Sequence, residues 1–200
     1  MDQAFSIGII FRNTSDWTGG AYYILNLINS FYFLEKNKQP ELIIFVSSAE
    51  DFNWLKKNSV YTNMKCVIIP KEIKYSAFQR ICNKIFRTFS GKNIFEKRYN
   101  KHIDIIYPYS YDYFFDLIPN KVYWIPDFQE HYLPGFFSPD EVNSRKQFQQ
   151  TLAVGNHKIV FSSKSALDDF SKIYPENNAK TFVVNFASVN FISGFPSKEE

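Results

Sequence analysis

The chain has 200 residues, 45% hydrophobic and 22% charged, with 23 Lys and Arg against 20 Asp and Glu. That balance fits one substantial globular domain rather than a disordered or fibrous chain, and a net charge of only +3 argues against a general nucleic-acid binder. Two cysteines and three histidines supply neither a disulfide framework nor zinc-site spacing, so a reducing, cytoplasmic setting is the default expectation.

The most apolar stretch, Ala21 to Leu34, is interrupted by Asn26, Asn29 and Ser30 and falls short of the ~20 residues of a bilayer span. The opening Met1-Asp2-Gln3-Ala4 lacks the basic start of a signal peptide, so the expectation is a chain that neither spans a membrane nor is exported by an obvious route. With 22 Phe, 13 Tyr and 3 Trp, the aromatic content exceeds what a core requires, and much of it falls between the apolar runs.

Apolar runs alternate with helical patterns along the whole chain, as in βαβ units and a mostly parallel sheet. Ser6 to Phe11 reads as a buried strand. Ala21, Ile24, Leu25, Ile28, Phe31 and Tyr32 recur at three- and four-residue steps, which predicts a helix from about Gly20 to Leu34. Leu42–Val46 is a second strand, Ala49–Asn58 a short helix, and Met64–Ile69 a third strand stopped by Pro70. Phe78, Ile81, Cys82, Ile85, Phe86 and Phe89 form one stripe of a helix from about Tyr75 to Ser90, with Arg80, Lys84 and Arg87 on its other faces.

Ile103–Tyr107 and Val122–Ile125 are two more strands, ended by Pro108 and Pro126, with long aromatic loops behind the prolines. Ser138-Pro139-Asp140-Glu141 predicts a capping box opening a helix to about Leu152. A strand at Lys158–Ser162, a helix at Ser165–Ile173 and a strand at Thr181–Asn185 complete the pattern, and past Ser188 the chain turns polar. Between Lys71 and Lys101 nine basic residues face only Glu72 and Glu96, a net +7 that leaves the remainder at about −4. The basic helix there fits either a solvated face or an anionic membrane surface.

The glycine fingerprints of dinucleotide-binding proteins and P-loop NTPases, and the hydrolase nucleophile elbow, are absent. Trp17-Thr18-Gly19-Gly20 stands directly before the first helix instead. It fits a tight turn capped by Asp16 or Thr18, or a site where an anion meets exposed N–H groups at a helix start. Asp127 to Pro134 follows the carboxyl end of a strand, where ligands of open α/β sheets bind. Its polar side chains among aromatics suit a sugar, or else Asp127 and Gln129 cap an irregular loop. Ser163 reads as a helix cap that also faces the crevice end. His102 and His157, at strand starts, read as structural.

Taken together, these stretches resemble the N-terminal half of a GT-B glycosyltransferase of the large retaining family 4. The carriers are Gly19-Gly20, Val122 to Gln129, Tyr132-Leu133-Pro134, Phe136-Phe137-Ser138, Ile159 to Ser163 with Asp169-Phe170, and the closing Val184 to Ser188. The resemblance implies a Rossmann-like α/β domain over residues 1–188, a mostly parallel sheet with helices on both faces. Residues 189–200 are then a polar tail or the start of an interdomain hinge, with the donor-binding domain on the continuing or a separate chain.

By the same resemblance, Gly19 and Gly20 contact the phosphate of a nucleotide-sugar donor. Asp127 and His131 are the catalytic candidates, and Gln129, Tyr109, Ser110 and Ser163 line the acceptor side. Many relatives carry a histidine straight after the glutamine, whereas here Glu130 intervenes. No metal or further cofactor is implied. The expected partner is a glycan or lipid-linked acceptor of bacterial surface polysaccharide assembly, met in the cytoplasm or at the inner membrane face, with no nucleic acid. The alternative is a non-catalytic glycan- or partner-binding module of the same fold.

Overall fold

The computed structural model describes residues 5–13, 18–69, 76–90, 98–110 and 113–186. Asp16 and Trp17, the segment 70–75 with Tyr75, and the stretch from Ala187 to the tail lie outside them. Seven strands alternate with six helices among the described residues: β1 Ser6–Ile10, α1 Thr18–Ser30, β2 Glu41–Val46, α2 Ala49–Asn58, β3 Met64–Ile68, α3 Ala77–Ser90, β4 Ile105–Tyr107, β5 Val122–Ile125, α4 Gln129–Tyr132, α5 Pro139–Val154, β6 Lys158–Phe161, α6 Lys164–Ile173 and β7 Lys180–Val183. Every strand pair is parallel, in two sheets of order β3-β2-β1-β4 and β5-β6-β7. This is the expected Rossmann-like α/β architecture.

Two cores, one on each face, follow from the alternation of side chains along buried strands. Ile43, Phe45, Ile106, Tyr123, Ile125 and Phe161 point to the side covered by Leu152 and Ala153 of α5 and Ala166 and Phe170 of α6. Their neighbours Leu42, Ile44, Tyr107, Trp124 and Val160 point to the side covered by Ala21, Ile24 and Ile28 of α1 and Leu55 of α2. Gly8 in β1 is required by close approach, since a Cβ there would stand 3.1 Å from the Phe45 ring and 3.3 Å from Ile103.

Helix starts follow the local chemistry. Ser48, Ser138 and Ser163 each accept a hydrogen bond from the N–H three residues on, a contribution of about 1 kcal/mol apiece. The expected box at α5 is one-sided, because the Glu141 carboxylate is taken by Arg145 at 2.9 Å. A reciprocal box forms at α3 instead, where Ser76 Oγ accepts from Gln79 N–H at 3.2 Å and Gln79 Oε1 accepts from Ser76 N–H at 3.0 Å.

Boundaries differ from the sequence reading, some of them at the carboxyl edge of the sheet. Helix α1 ends at Ser30 and tightens into a 3-10 turn over Phe31–Phe33, leaving Tyr32 and Leu34 exposed. Gly19 and Gly20 lie inside its first turn rather than before it. The stretch after Asp127 is not irregular: it forms the single helical turn α4 and then a 3-10 turn at Pro134–Phe136.

Asp104 ties the amino ends of β1 and β4. Its Oδ2 accepts from Ser6 N–H at 2.7 Å and from Ser6 Oγ at 3.0 Å, and its Oδ1 lies 3.0 Å from His102 Nε2. The Ser6 N–H above all holds the Asp104 carboxyl below the ordinary aspartate value of 3.8. A carboxyl harder to protonate when folded stabilises fully above its unfolded pKa, and that contribution is lost as pH falls through the folded value. Asp104→Asn is therefore expected to lower stability at neutral pH and to flatten the acid side of the profile below about pH 4, read by urea denaturation across pH.

Core and surface aromatics should separate sharply in their energetics. Phe161 is fully buried against Phe170, whereas Phe136 is 83% exposed. Phe161→Ala is expected to destabilise by about 3–5 kcal/mol and Phe136→Ala by no more than about 0.5 kcal/mol, measured by chemical denaturation.

Candidate functional site

A cleft of about 810 Å³ opens at the carboxyl edge of the strands. Its floor is the end of β5, from Trp124 to Asp127, and one wall is the first turn of α1, where Gly19 and Gly20 lie. The facing wall comes from α5, through Glu141, Arg145, Phe148 and Gln149, and from Phe136 and Phe137 just before it. Phe186, beyond β7, completes the rim.

The structure thus brings together four of the sequence-predicted residues: Gly19, Gly20, Asp127 and Gln129. A Cβ on Gly19 would meet nothing within 4 Å, so the start of α1 is open on that side. Asp127 also has a structural task, because its Oδ1 accepts from the Gln129 N–H at 3.3 Å and opens the α4 turn.

The other candidates are placed differently. His131 is exposed, its ring edge-on to Tyr132 at 5.1 Å, and it does not line the cleft. Tyr109 is buried, edge-on to Tyr123, and together with Ser110 borders a smaller hollow of about 160 Å³. That hollow shares Trp124 and Phe148 with the cleft, so the two are neighbours. Ser163 accepts from Ala166 N–H at 3.0 Å as the cap of α6, and does not line the cleft. His157 packs edge-on against Tyr123, and burial holds its imidazole below the usual pKa, in keeping with a structural role.

Sequence reading missed the charged spine of the α5 wall. Glu130 is 1% exposed, and its Oε1 accepts from Gln149 Nε2 at 2.6 Å. Its Oε2 makes no hydrogen bond and lies 3.5 Å from Arg145 Nη1. Arg145 also holds Glu141 at 2.9 Å and packs over the Phe137 ring at 4.8 Å. Gln149 in turn accepts from Tyr174 Oη at 3.3 Å. Glu141, Arg145 and Gln149 recur every four residues, which places them on one helix face and is the signal available in the sequence.

Helix α4 is pinned from its other side by Tyr132 Oη, which donates to Asp169 Oδ1 at 2.6 Å. That carboxylate raises the Tyr132 phenol above its usual pKa, so the donor stays protonated. The turn carrying Gln129 is therefore held between α5 and α6.

No family model, no curated protein and no solved structure matches the chain. Among the described residues, no group of three or more His, Cys, Asp and Glu is placed to hold a metal ion, and no helix is long and apolar enough to cross a membrane.

Arg145→Ala would leave the buried Glu130 carboxylate without its counter-charge. The expected loss is about 1–3 kcal/mol, moderated because Arg145 itself is partly exposed, and it should shrink in a Glu130→Gln background, measured as a double-mutant cycle.

Proposed function

We propose that the chain is the acceptor-binding half of a nucleotide-sugar-dependent glycosyltransferase of the retaining GT-B type, acting in bacterial surface-polysaccharide assembly. The observation that carries this reading is the convergence of Gly19 and Gly20 with Asp127 and Gln129 in one cleft at the carboxyl edge of a parallel sheet. Ligands of open α/β sheets bind at such an edge.

The lining suits a saccharide. Phe136, Phe137, Phe148 and Trp124 offer apolar faces to a sugar ring, while Asp127, Gln129 and Glu141 offer directed hydrogen bonds to its hydroxyls. The first turn of α1 supplies backbone N–H groups and the positive end of a helix dipole for the donor diphosphate. Preorganised donors of this kind stabilise a leaving diphosphate as charge develops on it. Asp127 is the titratable group of the cleft nearest to the role of catalytic residue. On this reading the donor pocket belongs to a second domain.

A non-catalytic glycan-binding module is the second reading. It is favoured by one observation, the placement of His131 outside the cleft lining.

Both readings require glycan binding, and only the first requires transfer. Calorimetry against a panel of neutral oligosaccharides is expected to find binding that falls by about ten- to a hundredfold in Asp127→Asn and Gln129→Ala. Transfer from nucleotide sugars is expected only when a donor-domain chain is added, because proximity of donor and acceptor is otherwise lost. Robust turnover by these 200 residues alone would overturn the assignment.

A further inference from the structure

Helix α3 is built in reverse of an ordinary surface helix. Phe78, Ile81, Ile85 and Phe86 fall on one side of it and are 70%, 58%, 53% and 51% exposed. Among its described side chains the buried one is polar, Asn83 at 7% exposure, with Gln79 and Cys82 half-buried. A surface helix of a globular protein turns its apolar stripe toward the core. Here, among the described side chains, apolar residues are the exposed ones and a polar residue is buried. The helix is well started, by the reciprocal Ser76 and Gln79 cap, so the stripe is a formed surface.

Cations accompany that stripe. Lys84 and Arg87 on α3 are exposed. They belong to the 71–101 stretch, whose sequence carries a net +7.

We propose that α3 docks this protein on an anionic lipid surface, lying in the plane of the headgroups without crossing the bilayer. Lipid satisfies both halves of the helix at once: acyl chains take the phenylalanine and isoleucine side chains, and headgroup phosphates attract the lysines and arginines. A second copy of the chain fits less well, because apposed α3 faces would bring two +7 stretches together. The inference goes beyond the transfer reading and does not depend on it.

Sedimentation of the whole chain with vesicles tests it, using phosphatidylcholine alone and phosphatidylcholine mixed with phosphatidylglycerol. Binding is expected to the anionic vesicles only, and to fall when ionic strength rises from about 0.1 M to about 0.5 M, since screening shortens the reach of the surface potential. Lys84→Glu with Arg87→Glu is expected to weaken binding by at least about tenfold. Ile81→Ser with Ile85→Ser should weaken it while leaving the unfolding transition intact, as the replaced side chains are exposed. Equal binding to both vesicle types, binding to neither, or binding unchanged in both variants would overturn the proposal. So would a self-associated chain that the Ile81→Ser, Ile85→Ser variant converts to monomer without any vesicle binding.

Discussion

The cleft depends on a narrow seam between two sheets. Strands β4 and β5 share one isolated bridge, Ile106 with Lys121, flanked by the Ile106 N–H on Asn120 O at 2.9 Å and the Tyr109 N–H on Val122 O at 2.8 Å. Side chains reinforce what so little backbone pairing leaves weak. Tyr23 of α1 stacks on Trp124 of β5 at 4.4 Å, and Tyr107 of β4 donates to Tyr23 Oη at 3.3 Å. Trp124 donates to Ser162 after β6 at 2.8 Å, and Tyr23 donates to Val184 O after β7 at 3.1 Å. One aromatic knot thus fixes α1 relative to four strands, and so fixes Gly19 and Gly20 relative to Asp127. Burial raises the pKa of both tyrosines, which keeps the phenols protonated and able to donate. Linked polar groups in a low-dielectric setting rigidify a structure only when each is satisfied, and here Tyr107, Tyr23 and Trp124 each donate to an acceptor within the knot.

What could be read from the sequence follows from how local each determinant is. The strands were legible because a parallel sheet buried on both faces needs continuous apolar runs, and Pro108 and Pro126 close two of them. The end of α1 was not, since Phe31 to Leu34 continue the apolar pattern although most of them lie on the surface. A four-residue helix such as α4 is shorter than any periodicity can reveal. Its consequence, the burial of Glu130, depends on Gln149 and Arg145 arriving from another element. Helix α5 has almost no amphipathic pattern, so the four-residue spacing of Glu141, Arg145 and Gln149 grouped them on one face without marking that face as the one toward the cleft. At α3 the apolar spacing was legible but the exposure of Phe78, Ile81, Ile85 and Phe86 was not, because packing alone decides which side chains of an amphipathic helix are covered.

Charge is distributed differently on the two walls of the cleft. On the α5 wall, Arg145 is engaged by Glu130 and Glu141 and its guanidinium packs on Phe137. An anion arriving there would compete with two carboxylates already in place and would face Asp127 across the floor. A polyhydroxyl ligand meets no such opposition, and it can both accept from Arg145 and donate to the carboxylates. The α1 wall is the opposite case. Its first turn carries Gly19 and Gly20, and the dipole there favours negative charge. On the proposed transfer reading, phosphate would meet the α1 wall and an uncharged sugar the α5 wall, so the two would not compete for one place.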